Sequence, residues 1–541
     1  MQPRLSKSRI LSHRQCALRL YHELHHPTRG GEPGPAGRFY IEEGRRVGEV
    51  ARSRFPGGVL VDVPFFDVKQ SVARTWELID DPNVPAVFEA SFEWNGVYVR
   101  ADIMERRHDG WGLWEVKSVL HAKERHLYEL ALQRTVISLA MAERDGARDT
   151  DAVAKAGLLL LNRNYVYEGG EYDTRHMFAA EPRTRETARL QKMVLRDIER
   201  ARETMMEETT PPILPDEHCY NPYPCPFLDV TCETPEPHEL LSMPGVGVSK
   251  LEQLQKEGIH SINDFMEEDP MLTLQGRRAL KAIRNGGRVI EPGLVEELAK
   301  IEYPRMFLDF EAAQAPLPRW VGTRPFERLP FQFSLHIEPR PGERLHEAYL
   351  HETADDPRRP LAEALLQATS QFPEAPILSY SAYEKQVIHD LSLHLPDQAE
   401  SLRGLKKRLV DLLPIVMNHI YDVGFNGGYS IKVVLPALVP ELDYSDLEVA
   451  DGTTASVYFI RMLDQLRLAA GSGDATPSHI EADRIRETTT TPEGTTSDTV
   501  QQAGREAKRI RESLWRYCRR DTEAMVALLH ALEEEAHRDT P

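Results

Sequence analysis

Cys16 near the start of the chain and Cys219, Cys225 and Cys232 far downstream bracket a short acidic constellation, Asp102 followed by Glu115-Val116-Lys117. A metal site drawing on all four thiols has to bring the two ends of that segment together, so it constrains the fold more than any other feature. The cysteine count is five, an odd number, and the Arg- and His-rich start from Met1 to His26 holds no apolar signal segment. This usage points to a reducing cytoplasm, with cysteines that bind metal rather than form a disulfide framework. No stretch approaches the roughly 20 apolar residues that span a bilayer, so a soluble cytoplasmic protein without a membrane partner is expected.

A chain of 541 residues exceeds what one hydrophobic core supports, and two or three domains are expected. The net charge of −19 argues at first sight against a nucleic-acid partner. Local charge decides binding, however, and part of the acid is needed as metal ligands or lies in polar runs such as Glu533-Glu534-Glu535. Basic residues gather at Arg4, Lys7, Arg9, Arg14 and Arg19, and again at Arg277, Arg278, Lys281, Arg284 and Arg288.

Up to about residue 235 the pattern is α/β. Val97 to Glu105 and Trp111 to Val119 read as strands joined by a two-residue turn at Asp109-Gly110. Ala131 to Ala142 reads as a helix and Ala156 to Leu161 as a buried strand. Thr234 to His238 is a Pro/Glu linker, and residues 236–295 form a small all-α module. A second α/β pattern covers residues 300–541, with strands at Met306 to Phe310 and Ile377 to Tyr380. The Thr/Ser/Gly-rich stretch of about 470–502 cannot bury enough apolar surface to order itself and is expected to be a mobile insertion. A helix over Ala503 to Glu535 follows it.

The turn at Asp109-Gly110 places Asp102 opposite Lys117, and Glu115 shares the face of Lys117. Two carboxylates can hold a divalent cation, and the ammonium can orient or activate the attacking water. An exposed cross-strand ion pair is the alternative, and a one-residue slip would turn the set to the other face. For the four cysteines, ligation of a [4Fe-4S] cluster competes with a zinc site and with inert buried thiols; Pro224 and Pro226 beside Cys225 favour an irregular ligating loop.

In the C-terminal pattern, Asp309 and Glu311 stand at i and i+2 of an otherwise apolar strand and so share a face. Burying two like charges together is costly unless a cation neutralises them, which argues for metal. Tyr517 and Asp521 lie one helical turn apart on a common face. Between these segments, Gly427-Gly428-Tyr429-Ser430-Ile431-Lys432 ends in a lysine that either touches substrate phosphate or caps a helix.

These motifs carry three resemblances. Leu5 to Cys232 resembles the RecB-like PD-(D/E)xK nucleases, in particular the iron-sulfur members with one cysteine before the nuclease core and three after it. The resemblance implies a restriction-endonuclease-like fold, a [4Fe-4S] cluster on Cys16, Cys219, Cys225 and Cys232 (zinc being the alternative), and catalytic roles for Asp102, Glu115, Lys117 and Gln133. Ile137 replaces the family's usual tyrosine, and the histidine expected after Gly44 is missing, with Val47 and Glu49 nearby and Glu49 a substitute ligand. Leu241 to Phe265 resembles a helix-hairpin-helix module, in which Gly245 and Gly247 let backbone N–H groups approach a phosphate and Lys250 is the phosphate-facing cation. An ordinary helical linker is the alternative.

Tyr303 to Leu532 resembles the DEDDy branch of the RNase H-like 3′-to-5′ exonucleases, whose first motif is Asp-x-Glu and whose last is Tyr-x-x-x-Asp. This implies an RNase H-like fold and a site of Asp309, Glu311, Glu384, Tyr517 and Asp521 holding Mg2+ or Mn2+, with Asp390 and Asp411 as alternatives to Glu384. The whole order is similar to a bacterial family that joins these three parts. The expectation is a metal-dependent nuclease acting on DNA, on single strands or ends, alongside a helicase or other protein partner, with residual cleavage at the first site. An RNA exonuclease and a non-catalytic nucleic-acid-binding protein are the rival expectations.

Overall fold

The computed structural model describes residues 4–64, 66–146, 152–213, 217–221, 223–228, 239–470 and 497–538. It is an α/β protein that divides into two compact units, one built from residues up to 236 together with 315–327, the other from 237–314 and 328–541. No described helix is long and apolar enough to cross a membrane.

The first unit is built on a mixed sheet of β1 (Leu5–Ser6), β2 (Val59–Leu60), β3 (Ala86–Trp94), β4 (Val97–Arg107), β5 (Gly110–Lys117), β6 (Val153–Leu161) and β7 (Phe178–Pro182). Strand order is β2-β3-β4-β5-β6-β7, and β1 pairs in parallel with the start of β4. The apolar run Ala156–Leu161 of β6 is buried throughout, which fits its place between two neighbouring strands with both faces covered. One face packs on the helix Glu124–Asp145, which stops at Gly146 in the left-handed conformation. Residues 315–327 complete this unit: the backbone N–H of Tyr167 donates to the Thr323 carbonyl at 2.9 Å, and the Tyr172 hydroxyl donates to that of Pro318 at 3.0 Å.

The β4–β5 hairpin corrects the sequence reading. Its turn residues are His108 and Asp109, and Arg107 pairs with Gly110, so the register differs by two residues from the one expected and Asp102 does not pair with Lys117. Two interactions set this. The Arg106 guanidinium donates to the carbonyls of Val84, Ile79 and Asp81, which extends β4 beyond Glu105. Gly110, at φ +126°, approaches β6 so closely that a Cβ would lie 2.9 Å from the Ala152 carbonyl oxygen. The glycine serves that approach rather than the turn. Because the shift is an even number of residues, the faces are unchanged.

The second unit holds β8 (Arg288–Ile290), β9 (Arg305–Ala313), β10 (Leu329–Arg340), β11 (Glu343–Leu350), β12 (Ile377–Ser379), β13 (Leu409–Asp411) and β14 (Ile420–Asp422). Five strands form a mixed sheet in the order β11-β10-β9-β12-β13, antiparallel across the first three and parallel from β9 through β13; β14 and β8 form a separate pair. The helix Gly452–Ala469 packs on β9 and on the final helix, Ser497–Arg538. Residues 471–496 of the expected insertion lie outside the described residues, and 497–502 belong to the final helix.

The helical segment after residue 239 shares one core with the C-terminal part, since Leu240, Leu254 and Leu280 cluster with Leu528 and Leu532. Its hairpin differs from the expected helix-turn-helix. Before the turn stands a single 3-10 turn, Glu239–Ser242, cut short by Pro244; the helix Val248–Lys256 follows Gly247, and a further 3-10 turn covers Ile262–Asp264.

Candidate metal centre

Asp309 and Glu311 project from the same face of the central strand β9, opposite Ser334 and Gln332 of β10. The final helix brings Asp521 to them. Asp309, Glu311 and Asp521 each offer a carboxylate oxygen within 4.8 Å of the others, and among the described residues no other group of three His, Cys, Asp or Glu side chains does so. Oxygens on one octahedral Mg2+ lie about 3 Å apart when adjacent and about 4.2 Å apart when opposite, so the donor set fits a hard divalent cation.

The electrostatics agree with that chemistry. Burial pushes the Asp309 carboxyl well above the usual range, and the charges of Asp521, Glu311 and Glu384 add to the shift. Glu311 is raised in the same way by burial and by Asp521. Burial takes Asp521 up to about 6, although Tyr444, Lys432 and Tyr517 favour its ionised form. Like charges held this close in a buried site repel unless a cation or protons intervene.

The β10 strand fixes the final helix in register. Gln332 donates through Nε2 to the Leu514 carbonyl at 3.0 Å, and the Thr522 hydroxyl is hydrogen-bonded to Ser334 Oγ at 2.7 Å and to His336 Nδ1 at 2.8 Å. These bonds flank Tyr517 and Asp521, which face the strand acids from one side of the helix. Burial and the surrounding carboxylates, Glu311 first, keep the Tyr517 hydroxyl protonated.

Glu384 follows β12 and opens the helix Tyr383–His394. It is buried, accepts from Ser381 Oγ at 3.2 Å, and is raised to about 7 by burial with contributions from Asp411 and Asp521. The two alternatives are committed elsewhere: Asp411 caps the helix Leu412–His419 by accepting from Leu413 N–H at 2.9 Å, and Asp390 faces Gln386 and Arg328. Glu384 acts by its charge on both Asp309 and Glu311, although it is not one of the three acids that converge within 4.8 Å. The acids sit on β9 and just past the end of β12, at the carboxyl ends of the parallel strands, where open α/β sheets bind ligands.

Tyr444 and Gly452 were not placed at this centre by sequence reasoning, which left Lys432 between a contact to substrate phosphate and a helix cap. Lys432 is exposed and does not cap its helix; its ammonium donates to the Ala450 carbonyl and lies 5.3 Å from the ring centre of Tyr444 and 5.4 Å from that of Tyr517. Its charge acts on Glu311 and Asp521. Tyr444 is raised by burial and by Asp521. Gly452, the first residue of its helix after the Asp451 cap, lies beside Glu311.

In the first unit, Asp102, Glu115, Lys117 and Gln133 meet at one end of the sheet. Gln133 donates to Glu115 Oε2 at 2.7 Å, and Lys117 to Glu115 Oε1 at 2.8 Å. Asp102 Oδ2 accepts from Val116 N–H at 2.7 Å. Two residues join them that the sequence did not single out for this site, Lys7 and Glu129. Burial raises Glu115 to about 7, with Asp102 adding to the shift. Of the residues near the missing histidine, Val47 is core and Glu49 pairs with Arg45 at 3.4 Å.

Cys16 sits between the helices Lys7–Gln15 and Ala17–His25. Gln15 ties that corner to the downstream loop by donating through Nε2 to the carbonyls of His218 at 2.8 Å and Tyr223 at 2.9 Å. Within the loop, Cys225 N–H donates to the Cys219 carbonyl at 2.7 Å. Burial raises the Cys16 thiol, and Cys219 and Cys225 contribute to the shift, so three of the four thiols share one neighbourhood. They are not drawn within 4.8 Å of one another. Cys232 lies outside the described residues.

The expected basic patches are largely spent internally. Arg278 pairs with Glu291 at 2.9 Å, Arg288 with Asp422 and Glu535, and Arg284 donates to the Phe265 carbonyl. Arg14 pairs with Asp197 and Arg19 with Glu23. Sequence shows charge but not partners. Gly245, at φ +81°, and Gly247 form the hairpin turn, and Lys250 is hydrogen-bonded to Gln253 at 3.2 Å.

A family model described as a domain of unknown function, DUF2779, matches residues 306–430, which include Asp309, Glu311 and Glu384. No curated protein and no solved structure matches the chain.

Proposed function

We propose that the second unit is a Mg2+- or Mn2+-dependent nuclease of the RNase H-like DEDDy type, acting from the 3′ ends of DNA strands, and that the first unit is a RecB-like PD-(D/E)xK fold carrying an iron-sulfur cluster on Cys16, Cys219, Cys225 and Cys232. The observation that carries this reading is the meeting of Asp309, Glu311 and Asp521 within 4.8 Å, although Asp521 arrives from a helix at the far end of the chain. A buried cluster of acids is costly to fold and is retained when a cation uses it.

Asp309, Glu311, Asp521 and Glu384 would hold the cations, which supply Lewis acidity for phosphodiester hydrolysis when bound. Tyr517, with its proton held on the hydroxyl, orients the attacking water by hydrogen bonding. The oxygen of water bonds to phosphorus as the bond to the leaving 3′-oxygen breaks; the water gives up a proton to solvent and the 3′-oxygen takes one up, leaving a shortened strand with a free 3′-hydroxyl and a nucleoside 5′-monophosphate. Lys432 places an ammonium at the mouth of the cluster, without an ion pair among the described residues, where it can meet a substrate phosphate.

The test is incubation of the full chain with labelled single-stranded DNA, duplex DNA and single-stranded RNA, with Mg2+, Mn2+ or chelator. Metal-dependent shortening of single-stranded DNA from the 3′ end, with mononucleotide release, is expected. Faster loss of RNA would move the substrate class, and binding without cleavage in either metal would leave a nucleic-acid-binding protein.

A further inference from the structure

The first unit has the acids expected of a metal-dependent nuclease, yet an ammonium from the start of the chain is lodged between Glu115 and Glu129, close enough for Asp102 to act on its charge. Strand β1 adds in parallel to β4, Leu5 against Val97 and Ser6 against Tyr98, at the end that β5 does not pair. The next residue, Lys7, opens the first helix and turns its side chain into the constellation. Its Nζ lies 2.7 Å from Glu129 Oε1 and 3.3 Å from Glu115 Oε1. Lys117 makes the matching pair of contacts, 2.8 Å to Glu115 Oε1 and 2.6 Å to Glu129 Oε2. The remaining oxygen of Glu115 accepts from Gln133. Both oxygens of the central carboxylate are therefore engaged by protein donors.

Charge balance points the same way. Even counted as fully ionised, Asp102, Glu115 and Glu129 bring three negative charges against the two positive ones of Lys7 and Lys117, so at most one negative charge is left without any metal. The acids also fail the geometric test that the other cluster passes, since no three of their ligand atoms lie within 4.8 Å of one another. The donor set as it stands does not fit a resident divalent cation.

We infer that Lys7 is a built-in counter-ion that takes the cation's place, so that the Asp102–Glu115 constellation binds no divalent metal in the native chain and becomes a metal site only when Lys7 is neutralised. An ammonium satisfies a buried carboxylate pair as a cation would, but it offers no Lewis acidity and leaves no coordination position for water or phosphate. The acids of the first unit then serve to fasten β1 and the first helix to the sheet. The inference concerns metal occupancy and stands whether or not the second unit cleaves nucleic acid.

The experiment is a Mn2+ titration of the full chain followed by electron paramagnetic resonance, in an Asp309→Asn, Glu311→Gln background that silences the second site. Adding Glu115→Gln to that background should leave bound Mn2+ unchanged. Adding Lys7→Met should create one Mn2+ site per chain, at least about tenfold tighter than the background binds. A Mn2+ bound in the background and lost with Glu115→Gln would overturn the inference, as would a folded Lys7→Met protein that gains no Mn2+. If Lys7→Met does not fold, the Glu115→Gln comparison alone decides.

Discussion

The Cys518 thiol lies 3.6 Å from Oδ2 of Asp309. It is buried on the final helix, between Tyr517 and Asp521, and its own ionisation is pushed far up by burial and by Asp309. The fifth cysteine thus belongs to the acid cluster as a neutral neighbour. Cys518→Ser, which keeps a donor of similar size, is expected to retain nuclease activity within about threefold and to leave any iron-sulfur absorbance intact. A Cys518→Ser protein that loses its visible absorbance would contradict the assignment of the cluster to the other four thiols.

The acid cluster should behave oppositely in stability and in function. Asp309→Asn removes a buried carboxyl whose ionised form burial and its acid neighbours disfavour, so the metal-free protein should gain roughly 2–4 °C in Tm by calorimetry at neutral pH. Added Mn2+ should stabilise the parent chain and do so much less for the variant. A lower Tm for metal-free Asp309→Asn would mean that the acids do not repel one another as their burial implies.

Much of this cluster was legible in the sequence because its members advertise themselves locally. Asp309 and Glu311 interrupt an apolar strand at period two, and Tyr517 and Asp521 fall on one helical face. Lys432 was ambiguous because only tertiary packing brings it over Tyr444 and Tyr517. In the first unit the shared face of Asp102, Glu115 and Lys117 survived a misplaced turn, since the true register differs by two residues and face has the same period. Lys7 showed only as part of a basic cluster, because the parallel pairing of β1 with β4 joins residues remote in sequence, and Glu129 was passed over although it stands one helical turn before Gln133. The arginines between 277 and 288 were misleading for a related reason: their partners, Glu291, Asp422 and Glu535, lie on other elements.

Arg305 provides a stability test away from the site. It is fully buried and pairs with Glu338 at 2.9 Å and Glu533 at 2.5 Å. Burial alone would raise the Glu338 carboxyl, but His530 and Arg305 outweigh it and hold the group below its ordinary value. Its contribution is complete above the unfolded-state pKa of about 4.3 and is lost as pH falls through the lower folded value. Glu338→Gln should cost about 3 kcal/mol at pH 7 in denaturant unfolding, because it strips a buried guanidinium of one partner, and the loss should shrink in acid. Equal stability of the two proteins at pH 7 would show that Glu533 alone satisfies Arg305.

The thiols make a spectroscopic prediction. Anaerobically purified protein should be brown with broad absorbance near about 400 nm, and Cys225→Ser should bleach it and loosen the contact that Gln15 makes with the 217–225 loop. Colourless protein carrying one zinc per chain would favour the alternative metal.

The central claim is that Asp309, Glu311 and Asp521 form the hydrolytic centre, and one comparison addresses it most directly. Single-stranded DNA labelled at its 5′ end is incubated in Mn2+ with the parent chain and with Asp309→Asn, and the labelled products are resolved by length. The parent should give a ladder of strands shortened from the 3′ end, and Asp309→Asn should be slower by about a hundredfold or more while still binding the strand. Equal ladders from the two proteins would place the chemistry elsewhere in the chain.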